Sequence, residues 1–307
     1  MLRFEYIDPE EMISSPEFPI IERFIKSTCR TNTGWHYIID LTWIYQVVKS
    51  WPKGIKVLDA GGGNSGALQF LLAEMGFDVT NIDLFLPTSR YSYAMRYGTN
   101  LSTSVCYSTT TYLQHLKQAS VIRKLKRNIR NILNYWPFNR IESYLYQRRH
   151  DCWRKYAKIS HPLGRLNWIR GNLCNIGDVP NKYFDAVVSL SALEHIPIEQ
   201  VHKAIHEIRR VLKPGSRWAV TTSATHEETT WFHKESQGYC FSKDDLHKIF
   251  SAEGEGEPRI FLGKYLRNTY LKNHLALSHK LSGKNGMPWG RWNPVYIPVG
   301  LTTKQDS

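Results

Sequence analysis

Runs of apolar residues broken by glycine and proline mark the chain's elements before anything else does. Lys56-Val-Leu-Asp-Ala60 is a short apolar run containing an acid, and Gly61, Gly62, Gly63, Asn64, Ser65 and Gly66 follow it. Beyond them Leu68, Phe70, Leu71, Leu72 and Met75 recur at helical spacing until Gly76. That order predicts a strand, a tight glycine turn and a helix. Val79-Thr-Asn-Ile-Asp-Leu84 predicts a second strand ending in an acid, Asp83. Further strands are expected over Leu166–Arg170, Tyr183–Leu190 and Arg217–Thr222. Between the last two, Ile198 to Leu212 places Val201, Ile205, Ile208 and Leu212 on one helix face, closed by Lys213-Pro214-Gly215.

The flanking regions are less regular. Residues 1–54 read as helical and aromatic, with mixed apolar positions over Glu22–Ser27 and Tyr37–Ser50 and punctuation at Pro52 and Gly54. They form an N-terminal helical region ahead of the first glycine turn. Toward the other end, Lys243–Phe250 predicts a helix and Arg259–Leu262 a strand after the acidic turn Glu253–Glu257. The alternating run Val295–Thr303 predicts a final strand, while Leu271–Gly290 is basic, contains histidine and fits no element. Residues 87–165 separate Asp83 from the next strand and read as an insertion. Its first part, Arg90–Thr111, has no period. Residues 121–136 form a clean helical wheel, with Val121, Ile122, Leu125, Ile129, Ile132, Leu133 and Trp136 on one arc and Arg123, Lys124, Lys126, Arg127 and Arg130 outside it.

The glycine turn carries the candidate chemistry. Glycines there let the backbone take positive φ and approach a ligand closely, and the helix start beyond presents unpaired N–H groups to it. Asp83 falls 22 residues after Gly61, which sets a carboxylate at the tip of the neighbouring strand within reach of ribose hydroxyls. Glycines at 61, 63 and 66 fit the dinucleotide pattern G-x-G-x-x-G, so two nucleotide cofactor classes remain open at this point.

Asp59-Ala-Gly61-Gly-Gly63 resembles the D-x-G-x-G signature of the class I S-adenosylmethionine (AdoMet)-dependent methyltransferases, the type 11-like small-molecule enzymes in particular. Trp168–Leu173 is similar to that family's third-strand end, Tyr183–Leu190 to its "FDxVxS" fourth strand, and Arg210–Gly215 to its "LKPGG" turn. The resemblance covers roughly residues 55–86 and 166–225. It implies a Rossmann-like α/β fold: a seven-stranded, mostly parallel sheet with an antiparallel last strand, here carrying a basic helical insertion between strands 2 and 3. The domain would span 55–307, interrupted at 87–165, with residues 1–54 as a helical lid. It implies AdoMet as cofactor, with Asp59, Gly61, Gly62 and Gly63 approaching the methionine part and Asp83 accepting from the ribose hydroxyls. Asn172, where the family has Asp, would reach the adenine amino group. The Leu173 N–H would meet the adenine ring, and Ser189 would face the methionine part. His36 and Tyr37, just before the first strand, would line the site.

Two histidines qualify as a general base for an alcohol acceptor. His195 follows the fourth strand, at the carboxyl edge where acceptors sit in open α/β sheets, and Glu194 is placed to orient it. Some relatives carry a metal-binding acid three residues before such a Glu-His pair. Ser191 stands there, so no metal is expected. His233, in the segment Thr230–Tyr239 after the fifth strand, is the second candidate.

Charge adds a question that periodicity does not raise. The 307-residue chain carries a net +13. Between Lys117 and Arg170 there are 14 Lys and Arg against two acids, nearly the whole surplus. A basic amphipathic helix there has three readings: it packs on the core with solvated charges, it lies on an anionic membrane surface, or it borders a groove for RNA or a phosphate-bearing glycan. Five scattered cysteines with no C-x-x-C read as reduced thiols. Neither a signal peptide nor a membrane span is expected. These features point to a cytoplasmic enzyme, with peripheral contact to the inner face of a membrane through 121–136 as an open option. The function expected is AdoMet-dependent O-methylation of an anionic saccharide or lipid-linked glycan acceptor. The alternatives are an RNA methyltransferase and a non-catalytic AdoMet-binding protein.

Overall fold

A computed structural model describes residues 1–28, 34–62, 67–85, 95–97, 100–103, 138–282 and 292–303. In chain order these form β1 (Leu2–Tyr6), α1 (Pro9–Ser14), α2 (Phe18–Ser27), α3 (Tyr37–Val48), β2 (Lys56–Ala60), α4 (Ala67–Glu74), β3 (Asp78–Asp83), β4 (Asn100–Thr103), α5 (Phe138–Tyr156), β5 (Leu166–Arg170) and β6 (Phe184–Leu190). Then come α6 (Ile198–Val211), β7 (Leu212–Ala224), β8 (Trp231–His233), β9 (Gly238–Cys240), α7 (Lys243–Phe250), β10 (Ala252–Glu253), α8 (Pro258–Arg267), α9 (Thr269–Ser282) and β11 (Ile297–Thr303).

The main sheet runs β10-β1-β11-β7-β6-β2-β3-β5-β4, and β8 and β9 make a separate hairpin. From β7 to β4 every neighbouring pair is parallel; β11 runs antiparallel to both β7 and β1. This is a Rossmann-like α/β sheet with one reversed strand. Its inner strands are buried on both faces, as parallel sheets require: Val57, Leu58, Val79, Ile82, Ala186, Val187 and Val188 are all inaccessible. Helix α3 is apolar nearly all round and lies within the core, with Ile38, Ile39, Leu41 and Ile44 fully buried. Helix α6 buries one stripe, Val201, Ala204, Ile205, Ile208 and Val211.

Three expectations change. The described sheet has nine strands rather than seven: six of the expected strands are present, and β1 and β10 extend one end and β4 the other. The N-terminal region is not wholly helical: Leu2-Arg-Phe-Glu-Tyr6 alternates buried and exposed positions, the period of a half-covered strand. Arg259–Leu262 is helical, not a strand. Glu257 caps α8 by accepting from the Arg259 N–H, and Pro258 occupies its first turn. The unassigned basic segment begins as α9. Residues 121–136, Gly63 and most of Arg90–Thr111 lie outside the described residues. Of the insertion, β4 pairs with β5 and α5 packs on α2.

Candidate active site

Strand β2 has β3 on one side and β6 on the other, and the chain winds outward from it in both directions. Such a switch point leaves a crevice beyond the carboxyl ends of the strands. A cavity of about 500 Å³ opens there. Four strand ends supply its wall: Gly61 and Gly62 after β2, Asp83 to Phe85 after β3, Gly171 to Leu173 after β5, and Leu190 to Ala192 after β6. Tyr37 from the start of α3, Leu68 of α4, His195 and Ile196 complete it.

The glycine turn has no room for a side chain. Gly61 has φ +77°, and a Cβ added to it would stand 2.7 Å from the Ala192 Cβ. A Cβ on Gly62 would lie 2.1 Å from Asp59 Oδ2 and from Asn81 Nδ2. Asp59 and Asn81 therefore fill the space directly under the turn. Asp59 is fully buried and absent from the cavity wall. Its Oδ2 accepts a hydrogen bond from Asn81 Nδ2 at 3.0 Å, while Oδ1 finds no partner among the described residues. Burial raises its pKa to about 7, with the Asp83 charge adding and the Asn81 bond opposing. Asp59 lies beneath the turn and not in the cavity wall.

Asp83 stands in the wall, and its Oδ1 accepts from the Phe85 N–H at 2.8 Å, which shapes the loop after β3. Asn172 and Leu173 also line the cavity. The Asn172 Oδ1 accepts the Cys174 N–H at 2.9 Å, a local turn that uses one of its lone pairs. Ser189 does not reach the cavity. Its hydroxyl donates to the Ala60 carbonyl at 2.8 Å and ties β6 to β2.

The loop after β6 holds the polar groups at the other side of the wall. Ser191 has φ +47°, a conformation uncommon for serine. Its N–H is 3.1 Å from the Thr221 carbonyl and 3.2 Å from Thr221 Oγ1, and Thr221 Oγ1 donates to Asp40 Oδ2 at 3.1 Å. The same Asp40 oxygen is 2.9 Å from His36 Nδ1. The Ser191 hydroxyl is buried and has no hydrogen-bond partner among the described residues. A buried unpaired hydroxyl costs about 1–3 kcal/mol, and this one belongs to a residue of the cavity wall. Sequence reasoning treated Ser191 only as the place where a metal-binding acid is absent. Its strain and isolation arise from tertiary contacts that no motif records.

His195 Nδ1 lies 2.8 Å from the Gln237 carbonyl. A carbonyl only accepts, so Nδ1 carries the proton and Nε2 is left as the basic nitrogen of the neutral ring. Gln237 is at the tip of the β8–β9 hairpin with φ +58°. A Cβ on the next residue, Gly238, would come within 3.3 Å of the His195 ring. Glu194 does not orient this histidine; its oxygens accept from Thr222 and Ser223 hydroxyls at 3.1 and 3.3 Å. His233 lies in the hairpin outside the cavity wall. Its Nδ1 accepts the Ser236 N–H, and its Nε2 is 3.1 Å from Glu235. Burial lowers its pKa and the Glu235 charge opposes that shift. Of the two expected bases, the structure brings only His195 to the cavity. Tyr37 lines it as expected, whereas His36 is buried behind it.

Residues 146–220 match the family described as "Methyltransferase domain". Among solved structures the chain is similar to the 1,6-didemethyltoxoflavin N1-methyltransferase of Burkholderia thailandensis, at 13% identity and TM-score 0.45 over 99% of this chain and 100% of that one. It is also similar to phosphoethanolamine N-methyltransferase 2 of Haemonchus contortus, at 13% identity and TM-score 0.47 over 95% and 58% of the two chains. A third is the 4+2 cyclase SpnF, at 15% identity and TM-score 0.44 over 89% and 84%. No curated protein sequence matches the chain. The matched segment is about a quarter of the chain and holds β5, β6 and α6, so it includes two of the four strand ends around the cavity.

Proposed function

We propose that the protein is an S-adenosylmethionine-dependent methyltransferase that O-methylates a small hydroxyl-bearing acceptor of the saccharide class, with His195 as general base. In this reading Gly61 and Gly62 would hold the methionine part of the cofactor, Asp83 the ribose hydroxyls, and Asn172 and Leu173 the adenine. Two features of the turn support the fit: any Cβ at Gly62 would collide with Asp59, and Gly61 takes positive φ. The cofactor supplies a methyl group on a positively charged sulfur, already activated toward a nucleophile.

The chain's own groups then have two tasks. His195 Nε2 takes the hydroxyl proton as the new O–C bond forms. Tyr37, Phe85 and Ile196 supply apolar wall that excludes water. The observation that carries this reading is the hydrogen bond from His195 Nδ1 to the Gln237 carbonyl, which leaves the other ring nitrogen basic. The residues lining the cavity include no Lys or Arg among those described. That favours a neutral reacting end over RNA, and over an acceptor whose phosphate sits beside the reacting hydroxyl.

The test is transfer of labelled methyl from AdoMet into a fractionated cell extract by wild type and His195→Ala. Label entering a carbohydrate fraction with wild type only supports the proposal. Label entering RNA or protein, or equal labelling by the variant, overturns it.

A further inference from the structure

The cavity does not account for the chain's charge. A second cleft, of about 410 Å³, lies between α2 and α5, and its wall shares no residue with the cavity. Arg23 and Lys26 of α2 face Arg148 and Arg149 of α5 across it, with Ser27, Leu145, Cys152, Trp153 and Tyr156. Among the described residues its charged lining is four cations and no acid, although Lys26 is also ion-paired with Glu22, 3.1 Å away on α2.

We propose that this cleft and its rim form a docking surface for an anionic phospholipid membrane, with lipid phosphates seated among Arg23, Lys26, Arg148 and Arg149. Three observations carry this. First, two of the four cations are held against aromatic rings. The Arg23 guanidinium lies 3.7 Å from the centre of the Tyr156 ring, and Arg148 lies 5.3 Å from that of Tyr144. Stacking of this kind leaves the N–H edges of a guanidinium available to phosphate oxygens.

Second, the rim is apolar where solvent alone would favour polar residues. Tyr144 is 54% exposed, Leu145 46% and Tyr156 39%. Tyrosine and leucine beside arginine match the headgroup boundary of a bilayer, where apolar groups enter the interface and cations meet lipid phosphate. RNA fits less well. The cations already cover one face of each tyrosine, and leucine offers a base nothing to stack on.

Third, the face is rigidly joined to the catalytic fold. Glu74 at the end of α4 is fully buried, 2.8 Å from Arg96 Nε, 3.1 Å from His150 Nδ1 of α5 and 3.5 Å from Arg154 of α5. Trp153 of α5 donates to the Ile20 carbonyl of α2 at 2.9 Å. These ties fix α5 against α2 and against the helix that follows the glycine turn. A membrane held by this face is therefore held at a set orientation to the cavity.

The test is co-sedimentation of the full chain with phosphatidylcholine vesicles, with and without phosphatidylserine. The variants are Arg23→Glu/Lys26→Glu/Arg148→Glu and, separately, Leu145→Asp. Calorimetric binding of S-adenosylhomocysteine serves as the fold control, since none of these residues lines the cavity. Wild type is expected to pellet only with phosphatidylserine, and less at high salt. At about 1 kcal/mol per cation near an anionic surface, the triple reversal is expected to weaken partition on the order of a hundredfold or more. Leu145→Asp is expected to weaken it with little change in salt dependence. Three results would overturn the proposal: no pelleting of wild type, equal pelleting by variants that still bind the nucleoside, or full displacement by single-stranded RNA.

Discussion

At the scale of single residues, His195 and Asp59 make opposite demands on their surroundings. His195 is exposed to the cavity and fixed from behind by a carbonyl. If it is the base, His195→Ala lowers turnover by about 10²–10⁴-fold and leaves calorimetric binding of S-adenosylhomocysteine within a factor of a few. Turnover that drops less than about tenfold removes it from that role. His233→Ala, in the same assay, is expected to change turnover little, because its ring is committed to Ser236 and Glu235. Asp59 is buried, and its folded pKa is raised to about 7 from 3.8. The folded protein then keeps a proton that the unfolded chain gives up between those values. Stability from this group therefore falls as pH rises across that window. Asp59→Asn cannot ionise, so its melting temperature should gain on wild type from about pH 4 to pH 7. Melting curves that stay parallel in the two proteins would show that the carboxyl is ionised in the fold throughout.

At the scale of elements, the best-recovered parts are those whose local period matches their final environment. The β2 turn and α4 were legible because the glycines need their positions and α4 is apolar apart from Gln69 and Glu74, with all eight residues buried. β6 was legible as an unbroken apolar run. β1 was not, since five alternating residues ahead of an aromatic helical region give a weak signal, and only pairing with β11 makes them a strand. Ile260-Phe261-Leu262 read as a strand because a three-residue apolar run has no period; the cap at Glu257 decided for helix. Ser191 could not be read at all, because its unpaired hydroxyl depends on β7 and α3 together. The join between α4 and α5 was likewise invisible, since Glu74 looks like an ordinary exposed helix acid. Burial opposes its ionisation, but hydrogen bonds and charge from His150 and Arg96 overcome this and hold it at about 2. Breaking a buried pair costs about 3–5 kcal/mol, so Glu74→Gln should lose that much in urea unfolding near neutrality. Because the folded pKa is depressed, the wild-type advantage is present above the unfolded value of 4.5 and shrinks as pH falls toward 2. A deficit unchanged at about pH 3 would mean that packing, not charge, makes the join.

At the scale of the whole molecule, the chain's two ends close the sheet on the side away from the glycine turn. β1 pairs with β11, so Leu2 meets Thr303 and Tyr6 meets Val299. The Ile7 N–H then donates to the Pro298 carbonyl at 3.0 Å, and the Tyr265 hydroxyl to the Ile7 carbonyl at 2.9 Å. Without β1, the reversed strand would be left as a long unpaired edge, a template for aggregation. Phe4 anchors the arrangement: it is buried, with its ring 5.9 Å from Tyr6 and 5.1 Å from His247. Phe4→Ala is expected to cost about 3–5 kcal/mol. The cavity lies several strands away, across the ends of β6, β2, β3 and β5, and contains no part of β1. Saturating S-adenosylhomocysteine should therefore raise the melting temperature of the variant by as much as that of wild type, since the stabilisation depends only on ligand concentration and affinity. A lower melting point with an intact ligand shift separates the closure of the sheet from the function of its switch point. Loss of the shift would mean instead that the strand at the chain's start holds the cavity in shape, and that the two ends of the sheet are one mechanical unit.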